Sequence, residues 1–403
     1  MSERWDAVVV GAGPAGAATA LLLARAGASV LLLDRARFPR HKPCSEYLSP
    51  GTTAVLERLG SDVLGAVERA PHAKVYGMKV VAPGGAAMCG RFASGGTYSF
   101  ALPRATFDTI LVRAAEQAGA VVREGTTVEG LLFDGGAVAG VVARSGCGMR
   151  DAYRARVVIG ADGLRSIVAR RLGPVRSSPP HRIAFTAHVA DVAGVDGVGE
   201  LHVSDHGYVG LGPVGRGVTT VALVLPLRVV RASGRGWPSR FFAELDRFPG
   251  LAGRFDPRRL VREVLATGPF ARWSRAAVAA GAVLVGDAAD FFDPFTGQGI
   301  YAALRGAELA AACLLPALAR GGSEPIPAAM LRPYSRARRR AFTGKWLLER
   351  LIGLGVGWPA LMDRVVARLA RRPDLADLLV GATGNIVPAH RVLAPRALAQ
   401  LVW

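Results

Sequence analysis

The chain has 403 residues, 51% of them hydrophobic, which suits two or three units of ordinary size, with two intertwined domains expected. Its formal net charge is +19, yet only Lys42, Lys74, Lys79 and Lys345 are lysines among 50 basic residues. The arginines are scattered rather than blocked, so the charge reads as a solvated surface and not as a nucleic-acid footprint; a membrane-facing or anion-attracting surface is the alternative.

Met1 to Asp6 lead into a short apolar run that is too brief for a signal-peptide core. Ala7-Val8-Val9-Val10 is an unalternated β-branched strand of the kind buried on both faces of a parallel sheet. Gly11-Ala12-Gly13-Pro14-Ala15-Gly16 follows, then a helix over Ala17–Gly27 and a strand over Val30–Leu33 that closes on Asp34 and Arg35. In such a βαβ unit the first glycine permits the tight turn, the second lets backbone approach a pyrophosphate, and the third lets helix and strand pack closely. The helix N-terminus faces the phosphate charge, and Asp34 stands where a carboxylate accepts from a ribose hydroxyl. The unit predicts dinucleotide binding and leaves NAD and FAD open.

Further along, Lys42-Pro43-Cys44-Ser45-Glu46-Tyr47-Leu48-Ser49-Pro50-Gly51 leads into a helix, with Ser49 suited to its N-cap and Pro50 to its first turn. Tyr76 to Gly85, including Lys79, reads as a β-hairpin, and Arg104 in Leu102-Pro103-Arg104-Ala105-Thr106-Phe107-Asp108 stands at a helix start. Val157 to Ser166 is a strand that breaks into a turn carrying Asp162 between small residues. Residues 171–280 alternate β-rich runs, among them His181–Val189, Glu200–Val203 and Val218–Leu225, with Gly, Pro and Asp turns. Ala282 to Ala289 repeats the strand-then-acid design with Gly286 and Asp287. Asp293-Pro294-Phe295-Thr296-Gly297-Gln298-Gly299 then opens an Ala-rich helix, whose N-terminus would stabilise negative charge. That helix, Tyr301–Ala319, is interrupted by Arg305 and Glu308 and falls short of the ~18 apolar residues of a membrane span. From Pro325 the chain is helical and basic. Cys44, Cys89, Cys147 and Cys313 form no CxxC pair and have no His at ligand spacing, so neither a disulfide framework nor a metal site is expected, and a reducing cytoplasm fits.

Three of these motifs, the N-terminal GxGxxG, the later GADGxRS, and GDAA followed by DPxTGxG, together resemble the FAD-binding signatures of class A flavin monooxygenases, flavin-dependent halogenases and geranylgeranyl reductases. The resemblance spans residues 6 to 306. It implies an α/β chain with a Rossmann-like FAD-binding domain of the p-hydroxybenzoate hydroxylase type, made of residues 1–70, 100–170 and 281–325. An inserted, mainly antiparallel β-sheet substrate domain would comprise 71–99 and 171–280, and a C-terminal helical region 326–403. FAD would be held by Gly11, Gly13, Pro14, Ala15, Gly16, Asp34 and Arg35, with Arg104 reaching it from its helix. Asp162 would lie near the flavin and the reductant path, Gly286 and Asp287 at the ribityl chain, and Pro294, Thr296, Gly297, Gln298 and Gly299 along the isoalloxazine. Lys42 to Gly51 resembles the geranylgeranyl-reductase-like branch, with Ser45 in place of the usual Gly. This puts Cys44 near flavin and substrate, with Glu46 and Tyr47 the other candidates for the reactive edge. Asn385 to Leu393 looks like the tail of that branch.

Prenyl reductases of the branch carry a Tyr-x-Trp-x-Phe-Pro stretch; here Tyr208-Val209-Gly210-Leu211-Gly212-Pro213 has glycine at both later aromatic positions. That difference places an NAD(P)H-dependent monooxygenase first, acting on an apolar aromatic or polyketide-like molecule through a C4a-oxygenated flavin. A reductase of prenyl or polyene double bonds is the alternative, and a flavoprotein directed at another protein is a third reading. The Trp-x-Trp-x-Ile-Pro element of halogenases is not found. No second βαβ unit of the strand–GxGxxG–helix kind is read, so NAD(P)H would dock transiently. The expected partner is a small hydrophobic substrate, and the location is cytoplasmic. The basic C-terminal helices are expected to cap the cofactor domain, with peripheral membrane contact as the other reading.

Overall fold

The computed structural model describes residues 4–92, 96–232, 236–248 and 250–402; the remaining positions, Met1–Glu3 of the N-terminal stretch among them, lie outside the described residues. The predicted βαβ unit forms with the strand Arg4–Val10, the helix Pro14–Arg25 with Pro14 in its first turn, and the strand Val30–Leu33. Ala7 pairs in parallel with Val30 on one side and Val157 on the other. Strands Ala282–Leu284, Arg150–Gly160, Arg4–Val10, Val30–Leu33 and Val121–Arg123 thus lie side by side, all parallel. Helices cover one face of this sheet, where Leu21, Leu23, Phe107 and Leu304 form a core. An antiparallel hairpin, Thr127–Asp134 and Ala137–Arg144, extends from Arg150–Gly160 and helps cover the other face. With both faces covered, an unalternated apolar strand is what burial requires.

The helix Gly299–Leu318 is long and apolar enough by composition to cross a membrane. It packs instead beside Pro14–Arg25 and the later helix Ala328–Val356, with Leu304, Ala307, Ala310 and Leu314 inside the core. Arg156 holds its end: the guanidinium donates to the carbonyls of Leu318 and Gly321, at 2.8 and 2.6 Å, and satisfies acceptors that the helix terminus leaves open.

The second sheet has seven strands in the order Leu260–Thr267, Arg182–Ala190, Val218–Pro226, Gly207–Gly215, Gly199–Ser204, Gly77–Val81 and Ala87–Arg91. Every neighbouring pair is antiparallel except Gly199–Ser204 with Gly77–Val81. The β-rich reading misses two helices in this region, Leu227–Ala232 and Trp237–Leu245. Trp237, Phe241 and Leu245 recur every four residues, a helical period, and cover one face of the sheet, with Trp237 stacked on Phe185 at 5.0 Å. The opposite face carries Val80, Val203 and Val224 and packs against C-terminal helices. Those helices are Ala328–Val356, 29 residues long and unbroken, then Pro359–Ala370, Pro373–Thr383, Ala389–Leu393 and Pro395–Val402.

Within this sheet Glu200 is buried, and its carboxylate accepts from Arg254 at 2.8 and 2.9 Å and from His202 at 2.8 Å. Burial alone would raise its pKa, but the hydrogen bonds and charges of Arg254 and His202 outweigh it and hold the group at about 2. A folded value below the unfolded one stabilises the fold fully above about pH 4.5 and is lost as pH falls toward 2. Glu200→Gln should therefore unfold more readily at pH 7, by about 2–3 kcal/mol, with the gap from the parent closing between pH 4.5 and 2. Acid and denaturant titration by circular dichroism checks this; a gap that stays constant over that range would overturn the assignment.

Candidate functional site

The carboxyl ends of the parallel strands open into one cavity of about 950 Å³. Gly11 turns at φ +96°, so close to the neighbouring strand end that a Cβ there would stand 2.6 Å from the Ala161 carbonyl oxygen. At Gly16 a Cβ would stand 1.8 Å from the Gly11 oxygen. Neither position can carry a side chain while the turn stays closed. Gly11, Gly13, Pro14 and Ala15 line the cavity, as do Asp34, Arg35 and Arg104. Asp34 accepts from the backbone N–H groups of Ala12 and Ala36 at 2.7 and 2.8 Å. A carboxylate has about four lone-pair sites, so acceptor capacity remains for a ligand hydroxyl.

Two guanidinium groups face the second glycine: a Cβ on Gly13 would be 3.8 Å from Nη2 of both Arg104 and Arg40. Arg104 forks Asp108 at 2.6 and 2.7 Å, and Arg40 reaches the same carboxylate at 2.9 Å. Burial works against the Arg104 charge, but the Asp108 carboxylate holds it charged. Lys42 lines the same wall, its pKa lowered by burial and by Arg104 and raised in part by Asp287. One carboxylate, Asp108, against the two guanidinium groups of Arg40 and Arg104 leaves an excess of positive charge beside a helix N-terminus, which suits a diphosphate.

Beyond that end lie Asp162, Asp287 and the loop Pro294–Gly299, of which Pro294, Thr296, Gly297 and Gly299 line the cavity. Asp162 Oδ2 accepts from the Ile167 N–H at 2.6 Å, whereas its Oδ1 is buried without a protein partner, an orphaned acceptor at the cavity wall. Burial raises both acids; at Asp287 Lys42 and Arg104 pull the other way. The loop is pinned from below by Asp293, which accepts from Tyr208 Oη at 2.6 Å, Arg182 at 2.7 Å and the Phe295 N–H at 3.0 Å. A cationic wall beside the glycine turn, backbone N–H groups open to a ligand and an unpaired acceptor at Asp162 together fit FAD.

Cys44 and Tyr47 line the cavity. The Tyr47 ring sits under Gly297, where a Cβ would come within 2.8 Å of it, and burial raises its hydroxyl far above the usual range. Glu46 does not face the cavity, contrary to expectation. It is fully buried at φ +60°, accepting from the Arg104 N–H at 3.1 Å and bonded to His188 Nε2, and so ties the cofactor region to the second sheet. Gly16, Gly286 and Gln298 also stand behind the wall. Gly286 is needed for its φ of +62° against Ala15, and Gln298 donates to the Thr383 carbonyl at 2.8 Å. Nor does Ser49 cap the helix Gly51–Leu59; its hydroxyl accepts from Asn385 Nδ2 at 2.9 Å, joining the Leu-Ser-Pro stretch to the Asn385 turn.

The other half of the cavity is apolar. Met78, Val80 and Phe270 line it from the second sheet and its flank, and Leu348, Met362 and Leu379 from the C-terminal helices. Gly210 and Gly212 line it too, and a Cβ at either would meet only ordinary van der Waals neighbours. Arg40 and Lys42 are lining residues that the sequence reading leaves out; the basic cluster Arg35, Arg37, Arg40 and Lys42 directly after the second strand is the signal.

The family model described as FAD binding domain matches residues 4–344. A digeranylgeranylglycerophospholipid reductase of Methanospirillum hungatei is 30% identical, the match covering 98% of this chain and 96% of the relative. A menaquinone reductase of Mycolicibacterium smegmatis is 29% identical over 96% and 93% of the two chains. Among solved structures, a myxobacterial chondrochloren halogenase superposes with a TM-score of 0.77 at 25% identity, covering 86% of this chain and 82% of its own. The fold is that of the p-hydroxybenzoate hydroxylase type, with helical C-terminal additions. A match over most of its length, on a cavity whose charge and backbone suit the cofactor, makes this chain a member of the FAD binding domain family and an FAD-dependent oxidoreductase.

Proposed function

We propose that the enzyme reduces carbon–carbon double bonds in a long, apolar, isoprenoid-like chain, with NAD(P)H as the electron source. The observation that carries this reading is the continuity of the cavity: a charged end suited to a dinucleotide runs without a break into a deep apolar end walled by the C-terminal helices. The names of the two sequence relatives, one a reductase of a glycerophospholipid bearing geranylgeranyl chains and one a reductase of menaquinone, support the same class. Glycines at 210 and 212 bear on it as well. In place of two aromatics, each of which would fill 150–250 Å² of surface, they widen the cavity rather than close it.

When bound, FAD supplies the two-electron transfer. The protein's share is to hold, orient and protonate. Arg40, Arg104 and the Gly11–Gly16 turn would take the diphosphate, Asp34 a ribose hydroxyl, and Asp287 the ribityl chain. Asp293, clamped by Arg182 and Tyr208, fixes the Pro294–Gly299 loop, which would line the ring. Saturating one double bond consumes two electrons and two protons; NAD(P)H and solvent replace them. Cys44 is the cavity's only thiol among the described residues, and it lines the wall together with Arg104. We assign it the proton delivered to substrate carbon. A monooxygenase acting on an aromatic or polyketide-like molecule is the second reading, favoured by the same two glycines, which leave room for a ring system.

Three experiments test these assignments. Asp287→Ala should lower flavin occupancy at least tenfold, read from visible absorbance per mole of folded protein; a fully yellow variant would refute the carboxylate's role. Under anaerobic conditions the parent with NAD(P)H and a polyprenyl lipid should yield products heavier by two hydrogens per reduced bond. Turnover that requires oxygen, with product gaining an oxygen atom, would instead establish the monooxygenase. Cys44→Ala should keep its flavin yet lose about 10²-fold in kcat, and unaltered turnover would remove the thiol from the mechanism.

A further inference from the structure

The long helix Ala328–Val356 spans about 43 Å and presents two different sides. Leu331, Tyr334, Leu348 and Val356 are buried against the rest of the protein. Leu347, Leu351 and Leu354 are 48, 39 and 68% exposed, and Trp358, at the start of the next helix, is 63% exposed. Their spacings of four, three and four residues put the leucines on one stripe and carry it into the tryptophan. Large apolar side chains clustered in this way cost solvation unless something covers them. Arg336 and Arg340 extend the same stripe toward the N-terminus, and Arg350 sits within it, its guanidinium over the Phe292 ring at 5.5 Å.

Charge identifies the cover. From Ala328 to the C-terminus the chain has thirteen Lys or Arg against four acids. All four acids are engaged: Glu349 with Lys345, Asp374 with Arg372, Asp363 accepting from the Gly84 N–H, and Asp377 from the Arg91 N–H. The outward face therefore combines apolar side chains, an exposed indole and uncompensated arginine. Such a surface matches the headgroup and upper acyl region of an anionic bilayer, where Trp and Arg both find their preferred depth. Leu351 adds a link to the site, since it is exposed on the stripe and also lines the cavity, beside Leu348 and Ile352. The stripe lies at the cavity's apolar end.

We propose that the Leu347–Trp358 stripe docks the protein on an anionic phospholipid leaflet and that the apolar half of the cavity opens toward that leaflet. An apolar substrate then enters from the membrane without crossing water. This holds whether the bound substrate is reduced or oxygenated, so it stands or falls separately from the proposed reaction.

The test is flotation of the FAD-loaded protein with vesicles of phosphatidylcholine alone or mixed equally with phosphatidylglycerol. The parent should float with the mixed vesicles, at least tenfold more weakly with pure phosphatidylcholine, and less well in high salt. The double variant Leu354→Asp with Trp358→Asp should lose binding at least tenfold while keeping its flavin content and its turnover of detergent-dispersed substrate. Phe133→Asp, which removes an exposed apolar residue on the hairpin Thr127–Asp134, should float like the parent. The proposal fails if the double variant floats undiminished or if the parent binds neither vesicle. It fails equally if the double variant converts a dimer to a monomer by sedimentation, which would make a second copy the occupant.

Discussion

At the carboxyl ends of the parallel strands, backbone meets backbone with no side chain between. Gly11 lies against Ala161 and Asp162, Gly16 lies against Gly11, and Gly286 lies against Ala15. This close approach is the constraint on which the rest depends. It aligns the ends of three strands, so that Asp34, Asp162 and Asp287, far apart in the chain, reach one cavity. It also leaves the first helix's N–H groups open to a ligand instead of covering them with side chains.

Buried polar contacts join the second sheet to the cofactor region. Arg182 of the second sheet pairs with Asp293, just before the Pro294–Gly299 loop, and His188 of the same strand bonds Glu46, which also receives the N–H of Arg104. Breaking one partner of such a pair leaves a charge stranded away from water, a far larger cost than the pair's own net gain. These contacts therefore act chiefly as registers. They set how the sheet sits over the cofactor region, and the loop and Arg104, which both touch the cavity, follow from that setting. Glu46 takes a left-handed backbone at φ +60° to make its two bonds, while its neighbours Ser45 and Tyr47 face the cavity.

The cavity's two halves answer to different physics. The charged end begins with short-range features of the chain, a glycine turn and a run of basic residues within about thirty positions of each other, to which Arg104, Asp162 and Asp287 are added from later segments. The apolar end is assembled from strands near residues 78 and 210 and from helices beyond 340, none of which signals a pocket on its own. Losing two aromatics at 210 and 212 looks, from the sequence, like loss of a substrate channel. In the folded chain both positions face the cavity, so the same change enlarges it.

The sequence by itself determined the cofactor half. The βαβ unit and the lining by Gly11, Gly13 and Asp34 follow from local signals, apolar runs, a glycine turn and an acid at a strand end, whereas Arg104, Asp162 and Asp287 were expected at the cofactor only through the resemblance of their motifs to the flavoenzyme signatures. The helix Trp237–Leu245 was missed, although Trp237 and Phe241 stand four residues apart, because the turn residues around it suggest strands. Only the tertiary structure decided which way side chains turn on irregular segments. It buried Glu46 beside His188 and turned Gln298 toward the Thr383 carbonyl, and it gave the C-terminal helices a cavity to wall as well as a core to cap. The reason is physical: a side chain's direction on a loop depends on partners supplied by remote strands and helices, and no periodicity along the chain encodes where those partners will be.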